Sequence, residues 1–455
     1  VLERFYCREE RATEDEATRW AQEFLDVAHE RSGLFIAIDE GLHTFAHQAF
    51  REYFSATHLV YAGEARLIET VLQHAPEPDD WWRQVLLLAG AHPQLSPGAA
   101  GRLIERLMRD GELDYIELAA RFAQDMTDKL PGPQRKRLQD WLIHKIHDPA
   151  HAAKARVRAG QALALVGDPR RGVGLREDGL PDIEWVKIPA GPFLMGSTDE
   201  DEQAYSDERP QHEVTLPAYK ISRYPVTQAQ YGAFVQAGGY GVAQYWPEAA
   251  EAGYWREGQV KGRGDDDWRS APVEYGAPFS LLNHPVVGVM WYEALAYCRW
   301  LSEVLGQAVR LPSEAEWEKA ARGGLPSPDR GGAGGGVRVY PWGNEPDPER
   351  ANYNDTGIGS TSAVGSFPGG ESPYGVLDMS GNVWEWTRSH FKDYPYQAED
   401  GRENLEAGND VRRVLRGGAF INNQWDARCA YRVSYVPLDH DWGSGFRVVV
   451  SPSRL

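Results

Sequence analysis

The sequence predicts a chain built in two ways: a mostly α-helical domain over residues 1–170, then an α+β domain over 184–455, with 171–183 between them. Three observations carry this. Apolar residues recur at helical spacing through the first part; most of the 16 Trp and 47 Gly crowd the second; and the stretch between is rich in Gly, Pro and charge, as linkers are. A chain of 455 residues exceeds one ordinary core, since a domain takes about 100–200 residues.

In the first part, Thr13 and Glu16 have the spacing of a capping box, and Ala17, Trp20, Ala21, Phe24, Leu25 and Ala28 follow at helical spacing until Gly33. Leu34–Ile38 is a short apolar strand, Asp39-Glu40-Gly41 a turn, and Leu42–Phe45 its return, so a hairpin precedes a helix starting near His47. Helix, hairpin and helix read as a winged-helix-like start. Further amphipathic helices are expected around 64–74, 79–90, 98–109, 112–128, 132–146 and 150–166.

Beyond the linker, Trp185–Pro189 is a strand. Helices are expected over Thr227–Val235, over Met290–Val304 with Ala294, Leu295, Cys298, Leu301 and Leu305 on the apolar side, and after the capping box Ser313/Glu316, with Trp317 and Ala320 inward. Short strands and long Gly-, Pro-, Asn- and Trp-rich loops make up the rest. Buried indoles suit such a domain: they supply large contact areas, and their N–H groups satisfy loop carbonyls.

Composition excludes several functions. The chain carries 48 Lys+Arg against 67 Asp+Glu, a formal charge of -19, which opposes broad binding to nucleic acid. No apolar run approaches the roughly 18 residues of a membrane span, and no signal peptide opens the chain. Cys7, Cys298 and Cys429 are distant in sequence and odd in number, which fits a reducing, cytoplasmic setting. There is no Gly-x-x-x-x-Gly-Lys-Ser/Thr loop, Gly-x-Ser-x-Gly elbow, His-Glu-x-x-His helix or Cys-x-x-Cys pair, and the glycine run 331–336 lacks the Lys a phosphate cradle needs. His144, His147 and His151 share a helical spacing, but Asp148-Pro149 breaks it, so a solvated helix end is the better reading than a metal site.

Two resemblances sharpen this picture. The run Phe45-Ala46-His47-Gln48-Ala49-Phe50-Arg51-Glu52-Tyr53-Phe54-Ser55-Ala56 resembles one that follows the nucleotide-binding module of NACHT-type signalling ATPases. The stretch from Gly160 through Leu165, Gly167, Asp168, Pro169 and Arg170 is similar to the helical repeats that join such modules to a sensor. With no phosphate-binding loop and Val at its start, the chain reads as the C-terminal piece of a longer protein with its ATPase core upstream.

The second half resembles the formylglycine-generating-enzyme (sulfatase-modifying factor) family. The matching motifs are Ile188-Pro189-Ala190-Gly191-Pro192-Phe193-x-Met195-Gly196, Glu208-x-Pro210-x-His212-x-Val214, Tyr224-Pro225-Val226-Thr227 and Arg310–Glu318. They continue with Tyr340-Pro341-Trp342-Gly343, Gly381-Asn382-Val383-Trp384-Glu385-Trp386, Arg416-Gly417-Gly418 and Gly445-Phe446-Arg447-Val448. The resemblance implies a C-type-lectin-like fold and, in the enzymes, copper held by two cysteines just beyond the Gly-Gly motif, where Cu(I) finds the soft ligands it prefers. Here Asn422 stands at the first cysteine position, Ala419 replaces a serine, and Cys429 is not one of the pair. No copper and no oxidase activity are therefore expected. The family's structural calcium site would use Asp378, the carbonyls of Gly381 and Val383, and Glu385, oxygen donors that suit Ca²⁺. A second would use Asn352, Tyr353 and Phe367, but Gly365 replaces its carboxylate.

The tail also resembles the variable regions of diversity-generating retroelement proteins, fixed brackets around an irregular interior. A template repeat beside the gene is what that resemblance implies. The leading expectation is a non-catalytic recognition protein that binds a protein ligand as the sensor end of a NACHT-type ATPase. Its surface would comprise Ile421, Asn422, Asn423, Trp425, Asp426, Tyr431, Val433, Tyr435, Leu438, Asp439, His440, Asp441 and Trp442, with Trp425, Tyr435 and Trp442 well exposed and Phe420 and Phe446 in the core. A metal-dependent enzyme on the same scaffold and a structural module holding an oligomer are the alternatives.

Overall fold

A computed structural model of the chain describes residues 13–21, 23, 35–39, 42–45, 47–74, 80–110, 113–125, 130–325, 338–405, 408 and 410–450. Cys7, the helix continuation through Phe24, Leu25 and Ala28, the stop at Gly33, the turn residues Glu40 and Gly41, and the glycine run 331–336 lie outside them. Contacts divide the chain into a unit of residues 1–138 and a unit of residues 139–455.

In the first unit, the Thr13 N–H donates to Glu16 (3.0 Å) and the Glu16 N–H to Thr13 Oγ1 (3.4 Å), the reciprocal cap its spacing predicts. The hairpin pairs β1 (Phe35–Asp39) antiparallel with β2 (Leu42–Phe45). His47 then caps α1 (Gln48–Tyr61), its Nδ1 accepting from the Ala49 N–H (3.2 Å). Four more helices follow: α2 (Glu64–His74), α3 (Asp80–Gly90), α4 (Pro97–Asp110) and α5 (Leu113–Asp125). Their apolar stripes are buried, with Leu67, Val71, Leu86, Ile104, Leu107 and Phe122 among the residues they enclose.

The division corrects the expected boundary at 170. After α6 (Gly132–His147), α7 (Ala153–Val166) belongs to the second unit. Ala153 and Val157 pack with Phe367, and a Cβ on Gly160 would lie 2.7 Å from that of Ala363, so only glycine allows this approach. Arg156 donates to the Ser366 carbonyl (3.0 Å), and Asn283 donates to the Gly160 carbonyl and to Asp168 (2.9 Å each). Nor is 171–183 a free linker: Val173 is buried, and Gln230 donates to the carbonyls of Gly172 (3.0 Å) and Asp182 (2.7 Å). Composition reports the bends of this segment but not the partners that hold it.

Two four-stranded sheets frame the second unit. One orders β3 (Trp185–Ile188), β6 (Tyr219–Ser222), β12 (Val449–Val450) and β7 (Val309–Arg310), all antiparallel. The other orders β10 (Arg432–Tyr435), β9 (Arg413–Arg416), β8 (Trp384–His390) and β11 (Ser444–Gly445), the last pair parallel. Between β3 and β6 in sequence, β4 (Gly191–Met195) pairs with β5 (His212–Leu216). Three helices sit where expected: α8 (Gln228–Gln236) capped by Thr227, α9 (Trp291–Leu305), and α10 (Glu314–Arg322) capped by Ser313. The indoles of Trp246, Trp291 and Trp386 donate to the carbonyls of Gly239, Thr387 and Val289 at 2.9–3.1 Å, so rings rather than ladders hold the loops.

Candidate functional site

The candidate surface begins at Gly417 and Gly418, both at positive φ (+97° and +74°); a Cβ on Gly418 would lie 2.9 Å from the Asp426 carbonyl oxygen. Gly381 (φ +72°) closes from the other side, passing so near the Asn352 carbonyl that a Cβ there would lie 2.2 Å from its oxygen. The buried Asn382 beside it accepts from the Phe420 N–H (3.2 Å) through its carbonyl. The chain then folds into a turn closed by side-chain amides. Asn422 accepts from the Ala419 N–H (3.0 Å) and donates to Asp426 (3.1 Å), and Asn423 accepts from the Trp425 N–H (2.8 Å). A neutral amide committed to shaping a turn thus occupies the first of the two expected thiolate positions.

Neither described cysteine supplies what is missing. Cys298 and Cys429 are unpaired and buried, and burial pushes each thiol up to about 12, far above the range in which a thiolate forms at neutral pH. Among the described residues, no group of three or more His, Cys, Asp or Glu side chains could hold a metal ion. His147 is buried enough to lower its pKa, and His151 faces Asp148 at 3.7 Å.

The structure separates the predicted surface residues into two sets. Ile421 (47%), Trp425 (45%), Trp442 (41%) and Asn423 are exposed, while Phe420 and Phe446 are core, as expected. Tyr435 corrects the expectation: it is only partly exposed, its ring packing edge-on against buried Trp386 at 6.1 Å. Tyr431, Val433 and Leu438 likewise pack on the core. His440 lies 2.9 Å from Asp265, Asp439 accepts from the Val436 N–H (3.1 Å), and Asp441 accepts from the Gly443 N–H (2.9 Å). These polar groups hold the tail in shape first; Asn422 and Asp426 do the same.

One part of the surface was missed. Phe279 contacts both Trp442 (5.8 Å) and Phe420 (5.6 Å), and Tyr275 contacts Phe279 (6.2 Å), so residues 271–282 continue the aromatic face. The signal was present in the sequence as Pro272-Val273-Glu274-Tyr275 and Pro278-Phe279, aromatics in a proline-bent loop, but their distance along the chain hid the partner.

The proposed calcium donors fit in part. Asp378 is buried at φ +55° and engages one oxygen with the Gly365 N–H (2.7 Å); burial pushes its carboxyl up to about 6, a cost that a cation would relieve. Glu385 Oε2 accepts from Trp317 and Arg447 (2.6 Å each), and its Oε1 from Arg447 (2.7 Å), which leaves Oε1 one lone pair. At the second site, Arg156 brings its guanidinium 5.6 Å from the centre of the Phe367 ring, so a side-chain cation stands close to where Gly365 has removed the carboxylate.

Residues 176–452 match the family described as "Sulfatase-modifying factor enzyme 1-like domain". The chain is 37% identical to the formylglycine-generating enzyme of Mycobacterium tuberculosis, over 52% of this chain and 87% of that protein. It is 30% identical to inactive C-alpha-formylglycine-generating enzyme 2 of Mus musculus, over 64% and 92%. With serine/threonine-protein kinase pkn1 of Chlamydia caviae it shares 33% identity over 58% of its own residues, spanning 37% of that protein's length.

Proposed function

The chain belongs to the sulfatase-modifying factor enzyme 1-like family, and from that premise we propose that it is a recognition protein, using the family scaffold to bind a protein ligand without oxidising it. The observation that carries this reading is Asn422: its amide closes the turn where a copper thiolate is needed, while Cys429 is a buried, protonated thiol. Two thiolates are what Cu(I) requires, and a lone one cannot replace them. What remains at that place is a shaped turn rimmed by exposed Ile421, Trp425 and Trp442, and rigid aromatic rings give contact area at low entropic cost.

The test is to replace Trp425 and Trp442 by Ala and measure both partner binding and thermal stability. Each change should weaken binding by about 2 kcal/mol or more, as hot-spot rings do. Trp425→Ala should leave the melting temperature within about 2 °C, because nearly half of that side chain is exposed, and Trp442→Ala should lower it somewhat more, because its ring packs on Phe279 and Phe420. A large melting loss with unchanged affinity would identify them as structural instead.

Calcium enters this reading as a structural ion held by Asp378, Glu385 and the carbonyls of Gly381 and Val383, relieving the burial of the Asp378 carboxylate. At a calcium concentration 100 times its dissociation constant, the gain in stability should be about 2.7 kcal/mol. Asp378→Asn should abolish that gain; calcium-dependent melting that persists in the variant would place the ion elsewhere.

The same reading makes the family domain the sensor end of a NACHT-type ATPase and the helical unit the NACHT-associated part before it, supported by the Phe45–Ala56 run. A native gene with no phosphate-binding loop upstream of residue 1 would remove that part.

A further inference from the structure

A cleft of about 240 Å³ opens between α8 and residues 271–282, lined by Gly232, Val235, Val273, Tyr275, Phe279 and Leu282 among others. It falls below the roughly 300–1,000 Å³ of sites that take drug-sized ligands and has room for one aromatic or branched aliphatic side chain. Its wall is preformed, because the Gln228 amide donates to the Phe279 carbonyl (3.0 Å) and the Ala229 N–H to that of Leu282 (2.9 Å). Leu282 (60% exposed) and Tyr275 (37% exposed) stand at the rim, and Phe279 carries the cleft into the Trp442 ring.

The rim is acidic. Glu274 lines the cleft and is exposed, and Asp441, after burial, is the main influence raising the Tyr275 phenol, with Asp265 adding to it. Arg269, whose charge opposes that effect on Tyr275, is paired with Glu293 (2.7 Å) and Asp265 (3.1 Å). Asp266 and Asp267 are exposed on the same loop as Asp265, where Lys261 is engaged by the Asp266 carbonyl (2.8 Å) and Arg263 lies 3.3 Å from Asp439, and the chain as a whole carries -19. A basic partner gains from such a field and an acidic one is repelled.

We infer that this cleft is the anchor pocket of the recognition surface, taking one apolar side chain of a polypeptide partner whose flanking residues are lysine or arginine. The inference rests on the recognition reading, which it extends from the tail to the 271–282 loop.

Gly232 offers a test that does not depend on damaging the fold. It lies inside α8 with nothing within 4 Å of a Cβ and no positive φ, so Gly232→Leu should fill the cleft while keeping or raising the melting temperature. The probe is a phage-displayed random peptide library panned on the full chain. Enriched peptides should carry Phe, Trp or Leu within two residues of Lys or Arg. They should bind Gly232→Leu at least tenfold more weakly, and Glu274→Gln several-fold more weakly with a reduced dependence on salt. Leu282→Ser, at an exposed position, supplies the same readout if Gly232→Leu fails to fold. Peptides that bind the cleft variants as tightly as the parent would overturn the inference. If those peptides were lost with Trp425→Ala, the recognition reading would stand and the anchor pocket alone would fall; enrichment of no peptide would overturn both.

Discussion

Replacing Glu314 with Ala should cost about 3–5 kcal/mol of stability, the range seen when one partner of a buried ion pair is removed. The reason lies in the register of the sheet. Arg416 of β9 and Arg432 of β10 sit directly opposite each other, and both are fully buried. Two guanidinium groups so placed repel, and water is not there to screen them. Glu314, the first residue of α10, bridges them: it lies 2.7 Å from Arg432 Nε and accepts from its Nη2 (2.9 Å), from Arg416 Nη1 (3.4 Å) and from the Tyr394 hydroxyl (3.1 Å). Arg416 keeps a second carboxylate, Glu318, but Arg432 is left with no carboxylate among its described hydrogen-bond partners: it keeps the main-chain carbonyls of Asp207 (3.2 Å) and Lys392 (3.0 Å) and the rings of Phe391 and Tyr394 (4.3 Å each). Glu314→Gln, which keeps the shape and loses the charge, should cost less than Glu314→Ala. Urea or thermal unfolding decides it, and a loss under about 1 kcal/mol for the alanine variant would show that the arginines find other partners.

Such networks explain why so much of the second unit was legible in sequence and why some was not. Local signals survived intact. The capping boxes at Thr13/Glu16 and Ser313/Glu316 each need only four consecutive residues, and both form; the structure adds a third at Thr227/Gln230. The indole-to-carbonyl bonds followed from composition, since a ring that large must find a partner when buried. The side of the boundary on which α7 lies was not legible. Its periodicity announces a buried face but says nothing of Ala363 or Phe367 far downstream, against which that face packs.

The same limit governed the surface. Tyr435 and His440 were expected to reach a ligand because aromatic and polar residues crowd the tail. Trp386 and Asp265, from distant parts of the chain, take them instead. Tyr275 and Leu282 were passed over for the converse reason: only the fold brings their loop beside Trp442. The expected copper positions, by contrast, could be read residue by residue, because the Gly417-Gly418 landmark precedes them closely. The fold then added the physical content: Asn422 is a turn-closing amide held at both ends, and Cys429 lies in the core with its N–H bonded to the Val339 carbonyl (2.8 Å).

The central claim is that this scaffold has kept its shape and lost the sulfur pair its catalytic relatives need. Incubating the purified chain with Cu(I), oxygen and a cysteine-containing substrate peptide, and following the peptide by mass spectrometry, tests it most directly. The account predicts that the cysteine persists without conversion to an aldehyde, at a rate indistinguishable from that of the copper blank, because Asn422 and the protonated Cys429 cannot together hold the ion. Aldehyde formed in proportion to the amount of protein, and abolished by Cys429→Ser, would contradict it.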